Sequence, residues 1–369
     1  MTASGTFGSG AEYSEFVDLS KLGAVVTKGV ANVPWPGNPT PRVAEVYGGM
    51  LNAIGLQNPG IDVFVKRDIP FLKQYDTKIV VNVCGRSTKD YCEVVERLAD
   101  EPVDLLEINI SCPNVKEGGI AFGQNPKSVE DITKEIKRVA KQPVIMKLSP
   151  NVTDITETAR AAEAGGADAL SLINTLTGMK IDINRRKFVL ANKTGGMSGP
   201  AVKPVAVRMV YQTAQAVKLP IIGMGGIMNA EDALEFILAG ATAVSVGTAN
   251  FIDPMTTLKV AEGIEAYMRA QNVSDIRELV GAVLRGVLRA LPKYATYYFT
   301  KASVKRALPE NELLALAEEA GLKGTTYPTV VEAVQAAKKN CPPKDLIFVG
   351  GSSFIVADLL ANRDTLNLY

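Results

Sequence analysis

Short apolar runs rich in β-branched residues recur along the chain, and each is followed by a stretch with helical periodicity. Residues 22–27 (LGAVVT), 78–83 (KIVVNV), 105–110 (LLEINI), 143–147 (PVIMK), 169–173 (ALSLI), 220–223 (PIIG) and 243–246 (AVSV) read as buried strands. Near-continuous apolar runs are what a parallel sheet covered by helices requires. Amphipathic stretches at 129–139, 155–164, 205–216 and 230–239 supply such helices. The alternation signals right-handed βαβ units. Residues 2–4 read as the remnant of a first strand and bring the count to eight. Eight βα units within about 265 residues predict an α/β fold of the (β/α)8 TIM-barrel type with a truncated first strand.

Two connections exceed ordinary loop length, residues 29–58 and 174–203. Both follow strand C-termini, where barrels of this kind place their chemistry, and both are predicted to act as substrate lids. After about residue 283 the pattern changes. Residues 296–300 and 346–349 read as strands, and 312–320 and 330–339 as helices. The expected domains are therefore a barrel over 1–284 and a partial Rossmann-like α/β appendage over 285–369.

Composition narrows the function. Of 369 residues 47% are hydrophobic, and 40 Lys and Arg stand against 39 Asp and Glu. That balance, with no basic stripe, argues against nucleic acid as a partner. The basic cluster NRRK at 184–187 reads as a solvated loop. The N-terminus has neither the basic nor the apolar region of a signal peptide, no run reaches membrane-spanning length, and the four cysteines lack metal-ligand spacing. A cytoplasmic, metal-free enzyme is expected. Histidine is absent, so acid–base work falls to Cys, Lys, Asp, Glu or Tyr.

Cys112 follows the fourth predicted strand in NISCPN, where Pro113 enforces a turn at the barrel mouth. A partly ionised thiol, with an ordinary pKa near ~8.5, could act there as a general base. A cysteine is more often a small buried hydrophobe, but the flanking Asn109 and Asn114 favour a binding site. Cys84 and Cys92 read as packing residues. Gly225-Gly226 and Gly247-Thr248 follow the seventh and eighth strands, the usual phosphate site of the fold, and the competing reading is two tight turns. Lys28 and Lys147 end apolar strands and are expected to meet an anion or a polar cleft.

These motifs together resemble dihydroorotate dehydrogenases of the NAD-linked class. The resemblance is carried by ASGTFG, TKGV, GNPTPRVAEVYGGMLNAIGLQNPG, EINISCPNVKEGG, MKLSPN, LINTLTGM, GGMSGPAVKP, GMGGI and VGTANF, in that order over residues 1 to about 283. It implies oxidation of dihydroorotate to orotate in pyrimidine biosynthesis. Cys112 would take a proton from C5 while hydride leaves C6 for FMN. Substrate would be held by Lys28, Asn109, Asn174 and Thr175 and by the run Asn52, Ala53, Ile54, Gly55 and Leu56. FMN would be held by Ser4, Lys28, Gly29, Asn82, Asn109, Lys147, Ile173, Gly199, Gly225, Gly226, Gly247 and Thr248. The family further implies a homodimer and a partner subunit that carries FAD and a [2Fe–2S] cluster and passes electrons to NAD.

The sequence departs from the family twice. The short hairpin that precedes the first strand is missing, which predicts a weakened barrel floor and a loosely held Ser4; the alternative function is therefore an FMN-binding barrel without turnover. The tail from about residue 287 resembles the end of a folylpolyglutamate/dihydrofolate synthase, a Mur-ligase-type domain, in ALPKYATYYFTKASVKRALPENELLALAEEAGL, YPTVVEAVQAAKKN and DLIFVGGSSFIVADLL. No GxxxxGK[ST] phosphate loop accompanies it, so ligase activity is not expected. The junction reads as a gene fusion, an assembly artefact or a deliberate chimera.

Overall fold

A computed structural model describes residues 1–111, 123–283, 288, 291–304, 307–342, 344–350 and 353–366. The chain divides into two compact units, Met1–Gly281 and Ala282–Tyr369.

The strands of the first unit are β1 (Ala24–Val26), β2 (Val43–Val46), β3 (Gly49–Asn52), β4 (Lys78–Val83), β5 (Leu105–Asn109), β6 (Val144–Lys147), β7 (Ala169–Leu172), β8 (Leu176–Met179), β9 (Ile181–Asp182), β10 (Lys187–Phe188), β11 (Thr194–Ser198), β12 (Ile221–Met224) and β13 (Ala243–Ser245). Seven of them form one parallel sheet in the order β1-β4-β5-β6-β7-β12-β13. The eighth position is taken by the first residues. Thr2 bridges Val246 in parallel, its N–H donates to Ala24 O (3.3 Å), and Ala3 N–H donates to Val246 O (2.8 Å). Thr2 Oγ1 accepts from Val26 N–H (3.0 Å) and Thr2 O accepts from Ser245 Oγ (2.7 Å). One fully buried threonine thus ties β13 to β1 and closes the α/β TIM barrel.

Helices Thr88–Leu98, Pro126–Val139, Ile155–Ala164, Lys203–Ala214, Ala230–Leu238 and Thr256–Ala270 alternate with the strands. Their starts follow local chemistry: Ser87 accepts from Asp90 N–H while Asp90 caps in return, and Asn125, Asp154 and Asn229 cap their helices alone. The apolar faces of these helices pack on the outward residues of the strands in one continuous core.

The inward residues recur with the period of two that a strand imposes. Ala24, Val26, Val80, Ile145, Ile222 and Met224 fill the lower interior as an apolar cluster. Two residues further along their strands, the inward positions turn polar. Asn82, Glu107, Lys147, Ser171 and Ser245 are all buried there. The barrel is therefore oily at its floor and hydrogen-bonded at its C-terminal end.

The two long connections are not loose lids. They combine into a four-stranded sheet in the order β2-β3-β11-β8, with β3 antiparallel to β11 and β11 antiparallel to β8. β9 and β10 add a separate two-stranded hairpin.

In the second unit β14 (Thr296–Thr300) pairs in parallel with β15 (Lys323–Tyr327), and helices Glu310–Glu319, Val330–Asn340 and Ser353–Ala361 accompany them. The expectation of a strand at 346–349 fails. Those residues are irregular, with Leu346 and Phe348 more than four-fifths exposed. The strand that partners β14 is instead KGTTY, whose polar composition concealed it.

Candidate functional site

The polar end of the barrel opens into a cavity of about 290 Å³. Its walls are supplied by nearly every strand end. Lys28 and Gly29 follow β1; Asn82, Asn109 and Lys147 lie on β4, β5 and β6; Ile173, Asn174 and Thr175 follow β7. Gly225 and Gly226 follow β12, Gly247 and Thr248 follow β13, and Ser4 follows the closing segment. The four-stranded sheet contributes the remaining side, with Asn52, Ile54, Gly55 and Leu56 from the β3 side and Gly199 after β11.

Ala53 does not line the cavity. It is fully buried away from the cavity, clustered with Ala44, Leu51 and Leu190. Within β3, Met50 and Asn52 line the cavity, while Leu51 faces the opposite side and Ala53, just past the strand, packs with it. Cys112 and the loop through residue 122 lie outside the described residues. The position just before, Ser111, is buried, and its Oγ accepts from Asn174 Nδ2 (2.7 Å) and donates to Asn109 Oδ1 (3.2 Å).

The expectation of a loosely held Ser4 is not met, since its Oγ accepts from Lys147 Nζ (3.0 Å). Lys147 also pairs with Glu107 Oε1 (3.2 Å), both side chains being almost entirely buried. Asn82 Nδ2 donates to the same Oε1 (2.6 Å) and Ser171 Oγ to Oε2 (2.8 Å). The amides continue outward. Asn109 Nδ2 donates to Asn82 Oδ1 (3.4 Å), Asn174 Nδ2 donates to Asn109 Oδ1 (3.4 Å), and Asn174 Oδ1 accepts from Thr175 N–H (2.8 Å). Tyr91, from the helix Thr88–Leu98, fixes the backbone of this row by donating to Asn109 O (2.7 Å). Glu107 and Ser171 were not anticipated. The only signal was an acidic residue inside the apolar run LLEINI.

The glycine turns carry backbone donors. Gly225 and Gly226 both have positive φ, at +127° and +81°. A Cβ on Gly226 would stand 2.8 Å from Gly199 O, so the turn itself demands glycine. The N–H groups of Gly226, Gly247 and Thr248 find no acceptor among the described residues, and all three residues line the cavity. Two lysines, four asparagine amides and unpaired N–H groups thus surround one space. That donor set suits a ligand with a flat polar ring and an anionic group. Among the described residues no cluster of three or more Cys, Asp or Glu is arranged to hold a metal, and no helix is long and apolar enough to cross a membrane.

The dihydroorotate dehydrogenase family pattern matches residues 1–268. A dihydroorotate dehydrogenase B (NAD(+)) catalytic subunit from Lachnoclostridium phytofermentans is 77% identical over 282 residues, which cover 76% of this chain and 94% of that protein. The subunit of the same name from Alkaliphilus oremlandii is 68% identical over 281 residues, 76% of this chain and 93% of the other. That of Geobacter sulfurreducens is 57% identical over 284 residues, 77% and 93% of the two chains. The chain belongs to the dihydroorotate dehydrogenase family.

Proposed function

We propose that this protein oxidises dihydroorotate to orotate with FMN as its resident cofactor and passes the electrons to NAD through a partner subunit that carries FAD and a [2Fe–2S] cluster. The observation that supports this best is the convergence of Lys147, Asn82, Asn109 and the unpaired N–H groups of the two glycine turns on one cavity at the polar end of the barrel. When bound, FMN supplies the acceptor for the hydride that leaves C6.

The chain's own residues do the rest. The N–H groups of Gly226, Gly247 and Thr248 hold the phosphate as an anion without a metal. Lys147 and Asn82 would meet the polar edge of the ring, while Ser4, Gly29, Ile173, Gly199 and Gly225 would shape its seat. Lys28, with Asn52, Asn109, Asn174 and Thr175, grips the substrate's carboxylate and ring amides; Ile54, Gly55 and Leu56 close the side supplied by the sheet. The base is Cys112, whose thiolate takes the C5 proton, so that one proton and one hydride leave for each double bond formed. Its neighbour Ser111 is pinned by Asn109 and Asn174.

A homodimer and the cytoplasm are part of the same reading, by family likeness. The second unit we read as part of a Mur-ligase-type C-terminal domain, on the motifs quoted above and on its parallel strand–helix–strand order.

The test is spectroscopic. Purified protein is expected to be yellow and to bleach anaerobically when dihydroorotate is added. The Cys112→Ala variant is expected to keep the colour and lose at least a hundredfold in bleaching rate, the scale of a removed general base. A colourless protein sinks the cofactor assignment; bleaching at the unmodified rate in the variant sinks the base.

A further inference from the structure

Glu107 does not line the cavity, yet three side chains converge on its carboxylate from three other strands: Asn82 from β4, Lys147 from β6 and Ser171 from β7. A carboxylate only accepts, so it dictates the sense of everything attached to it. Asn82 must present its NH2 to Glu107 and therefore its carbonyl oxygen to Asn109. Asn109 must then present its NH2 to Asn82 and its oxygen to Ser111 and Asn174. Each amide along the row inherits its orientation from the same anchor. On the other side, Lys147 gives one hydrogen to Glu107 and one to Ser4, and a third remains for whatever occupies the cavity it lines. Without that carboxylate the buried cation would lose the partner that offsets its lost solvation.

We infer that Glu107 is a positioning residue: it fixes the sense of the Asn82–Asn109–Asn174 amide row and partly neutralises Lys147, so that the cation's field on the bound flavin is held below its full strength. This rests on the FMN reading above. An electron-rich reduced flavin is stabilised by a nearby positive charge. Removing the carboxylate should therefore unmask Lys147 and favour the reduced form.

The experiment uses the full chain loaded with FMN and titrates its midpoint potential against a reference dye. Four variants are compared with the unmodified protein: Glu107→Gln, Glu107→Asp, Lys147→Met and the Glu107→Gln/Lys147→Met double variant. Glu107→Gln is expected to raise the reduced-to-oxidised ratio at fixed potential about tenfold, which is about 30 mV for a two-electron couple. Lys147→Met is expected to lower that ratio. Adding Glu107→Gln to Lys147→Met is expected to change it less than about threefold, because no cation remains to unmask. Glu107→Asp keeps the charge but withdraws it by one methylene and is expected to raise the ratio about threefold; it carries the test should Glu107→Gln not fold. An unchanged ratio in either single Glu107 variant overturns the inference, as does a full tenfold rise in the Lys147→Met background. Flavin uptake by the unmodified chain reports separately on the cofactor, so the two ideas fail by different results.

Discussion

Gly49 opens β3 where it crosses the turn after β11. A methyl group built on it would lie 2.0 Å from Ser198 O and 3.0 Å from Ser198 C, both backbone atoms. Neither can rotate away, so Gly49→Ala must push β3 and the Ser198–Gly199 turn apart by more than an ångström. Overpacking of that kind costs about 1–3 kcal/mol. The displacement also strains the bond from Ala201 N–H to Gly48 O (3.0 Å), worth about 0.5–1.5 kcal/mol net. Together the loss is about 2–4 kcal/mol. At about 2–4 °C per kcal/mol for a domain of this size, Tm should fall by about 4–16 °C. On the function proposed above, FMN should also bind more weakly, because Met50, Ser198 and Gly199 wall the cavity. Thermal unfolding read by intrinsic fluorescence, with and without added FMN, measures both. Gly23→Ala is the control, since a methyl there meets nothing within 4 Å. A Tm of Gly49→Ala within a degree of the unmodified protein, or equal losses in the two variants, would refute the claim that this backbone crossing is closely packed.

Two further outcomes follow from the barrel. Thr2→Val keeps the shape of the closing residue but leaves Val26 N–H without its acceptor, so urea unfolding should show a loss of about 1–3 kcal/mol; a smaller change would mean the barrel closes by other contacts. Burial pushes the Asp104 carboxyl up, but hydrogen bonds from Ile79 N–H and Lys78 outweigh it and hold the group below its usual 3.8. A lowered folded-state value means this stabilisation is present above that pH and fades as pH falls through the folded value. Asp104→Asn should therefore lose stability at pH 7 relative to the unmodified protein, and the gap should narrow towards pH 3 in a pH series of Tm values; a gap independent of pH would rule out the charge as its origin.

Much of the barrel was legible because its strands are buried on both faces. Val80, Val81 and Ile145 must be apolar wherever they point, so the runs stand out from the flanking helices. What could not be read was the partnership of side chains distant in sequence. Glu107 meets donors 25, 40 and 64 residues away, and nothing local announces that they share one layer of the interior. The packing of Ala53 with Ala44, Leu51 and Leu190 was equally hidden, because Leu190 comes from a distant part of the chain. In the second unit, the polar strand Lys323–Tyr327 hid behind composition, while the apolar 346–349 advertised a strand but is irregular.

The sheet over the cavity joins two excursions that leave the barrel far apart in the chain. Asn52, Leu51 and Met50 pair with Gly196, Met197 and Ser198, and Asn52 Nδ2 reaches Gly196 O as well (3.5 Å). A flap hinged on a single loop could swing with little resistance, but this side can part only by unzipping a ladder along its length, which moves both excursions together. Ligand traffic across that side would therefore be governed by a cooperative backbone event, and a substitution in one excursion should be felt as altered exchange protection in the other.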